Sequence, residues 1–108
     1  YYGEDDTARE TASRLREKVW NKWLKKVRMG RFRDQAVGPH PISMYQIEFD
    51  REIFDEIIPW LMYNRDGLSV LVHADAEDAW RDHAWYPFWM GDKLDLRLDW
   101  LAAGNRKA

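Results

Sequence analysis

Met44-Tyr45-Gln46-Ile47-Glu48-Phe49-Asp50-Arg51-Glu52-Ile53-Phe54-Asp55-Glu56-Ile57-Ile58-Pro59-Trp60-Leu61-Met62 changes its hydrophobic period midway, and that change decides the fold class. Up to Phe49, the residues Tyr45, Ile47 and Phe49 alternate with Met44, Gln46 and Glu48, the pattern of a strand with one packed and one open face. From Asp50 onward Ile53, Phe54, Ile57, Ile58 and Leu61 recur at helical spacing. They predict a helix over residues 50–62, with Pro59 kinking it or ending its regular part.

On the N-terminal side, Thr7-Ala8-Arg9-Glu10 reads as a capping box, with Asp5 and Asp6 placing negative charge at a positive helix end. Ala8, Ala12, Leu15, Val19, Trp23 and Leu24 give that helix its apolar stripe, and Arg9, Arg14, Arg16, Glu17 and Lys18 its solvated face. Lys22, Lys25, Lys26 and Arg28 complement the C-terminal end of the helix dipole rather than form a nucleic-acid patch. The spacing changes again over residues 27–32, and Val37-Gly38-Pro39 breaks the chain before the strand at 44–49.

On the C-terminal side, Asn64-Arg65-Asp66-Gly67 signals a turn into a strand at 68–72. Residues 74–91 read as a long functional loop with a short helix near 77–81, and Leu94, Leu96 and Leu98 suggest one more strand. Helix, strand, strand, helix, strand is a ferredoxin-like α+β order: an antiparallel sheet with two helices on one face, its first strand largely missing. Tyr1-Tyr2 reads as the tail of that strand, so the natural protein is expected to extend toward the N-terminus. Residues 1–108 are expected to form a single domain.

Charge and composition exclude several function classes. The 17 basic and 19 acidic residues give a formal net charge of -2, so no broad field draws nucleic acid or an anionic membrane surface. The absence of cysteine removes disulfides, thiolate metal sites and thiol nucleophiles, and leaves His, Asp and Glu as ligand types. No run of the sequence has the length of a membrane span, and the first residues lack the pattern of a signal peptide, so a soluble, cytoplasmic protein is expected. Of seven tryptophans, Trp80, Trp85 and Trp89 fall close together beside Tyr86 and Phe88, where they can serve the core, line a pocket, or both.

The chemistry-bearing residues centre on three histidines. His40 stands between Pro39 and Pro41 before a strand, and His73 follows Leu71-Val72 at the end of another. Strand parity puts His73 with Ser69 and Leu71, opposite Leu68, Val70 and Val72, and likewise puts Gln46 and Glu48 on the open face. Two imidazoles at strand mouths suggest a metal site, although each could instead satisfy a local backbone group, and Glu48 could pair with an arginine. His83 follows Asp82, but neighbours on one element do not face each other, so Asp82 is not its obvious orienting partner. His83 is a candidate either for supporting a ligand from behind or for acid–base work.

Taken in order, Asp6-Thr7, Gly38-Pro39-His40-Pro41, Pro59-Trp60-Leu61, Leu71-Val72-His73, Asp82-His83 and Trp89-Met90-Gly91 make nearly the whole chain resemble the DOPA 4,5-dioxygenase family. The resemblance implies a non-haem Fe(II) enzyme of extradiol type that opens the ring of a DOPA-like catechol with O₂. It implies His40 and His73 as metal ligands and His83 as the catalytic proton carrier. Gln46, Glu48, Trp85, Tyr86 and Trp89 are the implied substrate contacts; another divalent metal or an empty site is the alternative to iron. Family members carry a His-x-His pair before the aromatic pair matching Tyr1-Tyr2, and many have histidine where this chain has Arg33. Two other functions compete: an inactive ferredoxin-like binding or regulatory module, and a cofactor-free monooxygenase. A homodimer is expected in any case, because an open sheet face with exposed aromatics needs cover.

Overall fold

The computed structural model describes residues 1–101, which follow one another as α1 (Asp6–Trp23), β1 (Val27–Met29), β2 (Ile47–Phe49), α2 (Phe54–Asn64), β3 (Val70–Val72), α3 (Ala79–Ala84) and β4 (Phe88–Met90). The fold is α+β, as the change of period at Phe49 predicts. Asp5 rather than Thr7 caps α1: its carboxylate accepts from the Thr7 amide at 2.9 Å, satisfying one of the unpaired N–H groups at the helix start. Ala12, Leu15, Val19 and Trp23 form the buried stripe, while Leu24, just past the helix, is exposed.

A short 3₁₀ turn at Arg51–Ile53 leads into α2, which runs through Pro59 to Asn64 instead of stopping there. The amide that proline lacks would have bonded the Asp55 carbonyl. Asp55 lies exposed in the first turn of α2, where solvent can take that place. Ile53, Ile57, Ile58 and Leu61 are buried as the helical spacing requires, whereas Phe54 turns outward. Asp66 and Gly67 then make the expected turn with φ of 55° and 82°, a conformation that suits glycine and is tolerated by aspartate.

The strands form two separate antiparallel ladders. β1 pairs with β2 in the register Val27↔Phe49, Arg28↔Glu48, Met29↔Ile47, and an isolated bridge between Arg33 and Met44 prolongs the contact. β3 pairs with β4 in the register Val70↔Met90, Leu71↔Trp89, Val72↔Phe88. The Tyr1–Gly3 tail lies between them: the Tyr1 backbone nitrogen donates to Ser69 O at 2.9 Å, and the Tyr2 amide to Ser43 O at 2.9 Å. Thus the tail occupies the gap that the ferredoxin-like reading assigned to a first strand.

Two strand expectations are corrected. Phe88–Met90 pairs as β4, although it reads as loop because its aromatics show no alternation. Among the described residues the segment around Leu94, Leu96 and Leu98 has no ladder partner; its residues alternate between half-buried and exposed, the pattern of an extended chain with one covered side. That core joins α1, α2, β1, Leu68 and Met90, with Val70 and Val72 packed against it, so His73 lies on the other side of β3. Among the described residues no helix is long and apolar enough to cross a membrane.

Candidate active site

His40 is placed by a tight turn. Val37 and His40 exchange backbone hydrogen bonds of 2.9 and 3.2 Å around Gly38, whose φ of 54° suits a residue without Cβ. Pro39 is buried behind the turn and accepts the Arg97 amide at 2.8 Å, so the strap of chain after β4 holds the His40 loop in place. His73 ends β3, and its Nδ1 lies 2.7 Å from Ala74 O. His83 projects from α3, which Asp78 caps through the Trp80 and Arg81 amides; its Nδ1 lies 2.6 Å from Ala79 O.

These three elements bring the imidazoles together. His83 is the middle ring, with its centroid 4.1 Å from that of His73 and 6.0 Å from that of His40. The sequence reading paired His40 with His73, and the geometry instead places His83 between them. Asp82 indeed faces elsewhere: it is buried and accepts the Ala76 amide at 2.9 Å, fixing the loop that leads into α3. Burial pushes the His83 pKa down, and His73 adds to that, against the opposing effects of the Ala79 carbonyl and Asp82. His40 is pushed further, to about 4, chiefly by burial and then by the charges that His83, His73 and the N-terminus would carry. Above that pH His40 is neutral.

Tyr1 completes the cluster; the sequence reading marked it only as the tail of a strand and half of an aromatic pair, not as a site residue. Its hydroxyl lies 2.7 Å from His40 Nδ1, and its ring stacks on Trp89 at 5.7 Å with an interplanar angle of 27°. Burial raises the phenol pKa, so Tyr1 holds its proton at any working pH. The contact joins residues 39 positions apart, beyond the reach of any local motif. Trp89, expected at the substrate, therefore forms the wall behind Tyr1.

The other expected contacts do not join this cluster directly. Gln46 lines a cleft of about 260 Å³ with His40, Gly30, Arg31, Arg33 and Met44. Trp85 and Tyr86 are exposed; Trp85 packs edge-on against Trp80 at 5.2 Å and below Arg81, and Tyr86 packs against Trp85. Glu48 is exposed on the β1–β2 ladder, bonded to Arg28 at 2.6 Å, the arginine pairing that competed with a substrate role in the sequence reading.

A family model for the Dopa 4,5-dioxygenase family matches residues 1–100. The chain belongs to the DOPA 4,5-dioxygenase family. A DOPA 4,5-dioxygenase from Amanita muscaria is 37% identical over 57% of this chain and 27% of its own length. An uncharacterized 21.2 kDa protein of Botryotinia fuckeliana is also 37% identical, over 84% of this chain and 51% of that protein. The chain thus spans about half or less of these two relatives. The crystal structure of a candidate dioxygenase from Nostoc punctiforme superposes with a TM-score of 0.87 at 42% identity, covering 94% of this chain and 86% of the other.

The family resemblance implies iron, and the donors present fit it in kind. Imidazole nitrogen is a ligand that Fe(II) accepts, and a histidine whose other nitrogen is held by a backbone carbonyl is the usual form of a metal-binding one. His73 and His83 both have that form. Among the described residues no three His, Asp or Glu side chains are grouped to hold an ion, so the fit extends to a pair of nitrogen donors.

Proposed function

We propose that this protein is an Fe(II)-dependent extradiol-type dioxygenase that opens the ring of a DOPA-like catechol. The observation that carries this reading is the convergence of His40, His73 and His83, from three different elements, in a chain of the DOPA 4,5-dioxygenase family. Bound iron supplies a Lewis acid at which a catechol and O₂ can be brought together. The protein's own residues do the rest. The His40 turn and the end of β3 fix two imidazoles before substrate arrives, which removes the entropic cost of assembling them. A neutral imidazole can accept the catechol proton, and burial keeps His40 and His83 in the neutral form. The Tyr1–Trp89 stack and the cleft beside Gln46 give a flat ring a wall to lie against and shield it from water.

The proposed assembly is a homodimer, supported by the exposed Trp85, Tyr86 and Phe88 beside the site. Sedimentation at micromolar concentration reads the mass, and a monomer rejects the dimer without touching the chemistry. The direct test of function is anaerobic loading with Fe(II), followed by O₂ uptake on adding DOPA or a simpler catechol. Stoichiometric oxygen consumption with loss of the catechol absorbance is expected. An iron-loaded protein that consumes none refutes the reading. A second reading, a binding module that keeps the family fold, is favoured by the lack of a three-ligand group among the described residues. It requires catechol binding by calorimetry without turnover.

A further inference from the structure

The three imidazoles of the cluster are not chemically equivalent, because each Nδ1 has a different kind of partner. A backbone carbonyl can only accept, so the bonds to Ala74 O and Ala79 O require a hydrogen on Nδ1 of His73 and of His83. In their neutral forms both rings then carry a bare lone pair on Nε2. His40 faces a hydroxyl instead. Among the described residues His40 Nδ1 is the sole hydrogen-bond partner of the Tyr1 hydroxyl, and a half-buried phenol hydrogen left without an acceptor costs the desolvation of that group. Tyr1 therefore donates, His40 Nδ1 accepts, and the proton of neutral His40 sits on Nε2.

We propose that Tyr1 sets the roles within the cluster. By donating to His40 Nδ1 it makes His40 an N–H donor toward a substrate oxygen rather than a metal ligand, and it leaves His73 and His83 as the metal-binding pair. The assignment rests on the dioxygenase reading for the identity of the substrate, but not for the tautomers themselves. It exchanges the roles that the family resemblance implied for His40 and His83. Geometry agrees: the two rings with free Nε2 lone pairs are also the closest pair, at 4.1 Å, while His40 is 6.0 Å from His83. Tyr1 is a positioning residue, acting only through His40. Its ring is held in turn by Trp89 and its backbone by Ser69, so the hydroxyl is aimed from both strands of the β3–β4 ladder.

Long-range proton–nitrogen correlation NMR of the metal-free protein, at a pH where all three rings are neutral, reads each tautomer directly. The expected spectrum shows His73 and His83 protonated on Nδ1 and His40 on Nε2, with the His40 pattern becoming a tautomer mixture in Tyr1→Phe. Nδ1 protonation of His40 in the unaltered protein overturns the proposal. Co(II) titration, followed by its visible absorbance, supplies the second arm. His73→Ala and His83→Ala should each weaken binding by more than about tenfold, while His40→Gln and Tyr1→Phe stay within about threefold. Glutamine keeps a donor near the Nε2 position, so His40→Gln separates donor function from a misfolded site, and it should retain more turnover than His40→Ala. Equal loss of Co(II) in His40→Gln and His73→Ala, or no Co(II) binding at all, overturns the division of roles. If no catechol is turned over but the tautomers and the Co(II) pattern hold, the dioxygenase reading falls and the assignment stands.

Discussion

Acidification should unfold the metal-free protein partly through His40, and the size of that effect follows from where the ring sits. Its pKa falls from the ordinary 6.5 to about 4 because burial and the neighbouring imidazoles oppose its charging. In the unfolded chain His40 takes up its proton near pH 6.5, and in the folded chain only near pH 4. Between those values the unfolded state holds more protons, so stability is complete above the window and declines as the pH drops through it. The full gap corresponds to ~3 kcal/mol. Because the ring is only partly buried, solvent screening reduces this to roughly 1–2 kcal/mol. His83, also held neutral by burial, acts in the same direction.

Urea denaturation across a pH series, followed by tryptophan fluorescence, measures the slope. His40→Gln should flatten it between pH 6.5 and about 4, because glutamine has no proton to take up, and the difference between the two proteins removes the common titration of the carboxylates. Parallel curves would refute the claim that His40 is buried neutral. A shallower curve for the unaltered protein would refute the sign.

Three further outcomes follow. His73→Ala should abolish iron binding while moving the midpoint of thermal unfolding little, since His73 lies off the core face of β3 and its loss opens no cavity; a large fall in thermal stability would mark it as structural. Ile57→Ala should cost ~2–5 kcal/mol in urea denaturation, because Ile57 is completely buried between the helices and the ladders. Asp82→Ala should cost ~1–2 kcal/mol by releasing the Ala76 amide. It should also broaden the His83 imidazole signals, and sharp, unshifted signals would show that α3 is held without it.

How much of this was legible in the sequence depended on the range of the interaction. Alternation over residues 44–49 and helical spacing from Ile53 to Leu61 report burial within a few residues, and they correctly gave the α+β class and most of the buried stripes, though Leu24 and Phe54 face outward. Local chemistry also removed Asp82 as a partner for His83, since neighbours on one helix diverge. Ladder pairing was less legible: Phe88–Met90 pairs without alternating, and the Leu94–Leu96–Leu98 alternation has no partner among the described residues, because pairing depends on a second strand that no local pattern specifies.

The site belongs to tertiary structure. Sequence named three imidazoles and the family, but their order in space, with His83 between the other two, arises only when β3, α3 and the His40 turn close on one another. Tyr1 is the clearest case: the sequence marks it as a strand tail without a site role, and folding puts its hydroxyl 2.7 Å from a ring 39 positions away. Residue type and spacing fix which atoms can ionise or ligate. Which nitrogen carries the proton is decided by whatever donor or acceptor the fold brings to the other one.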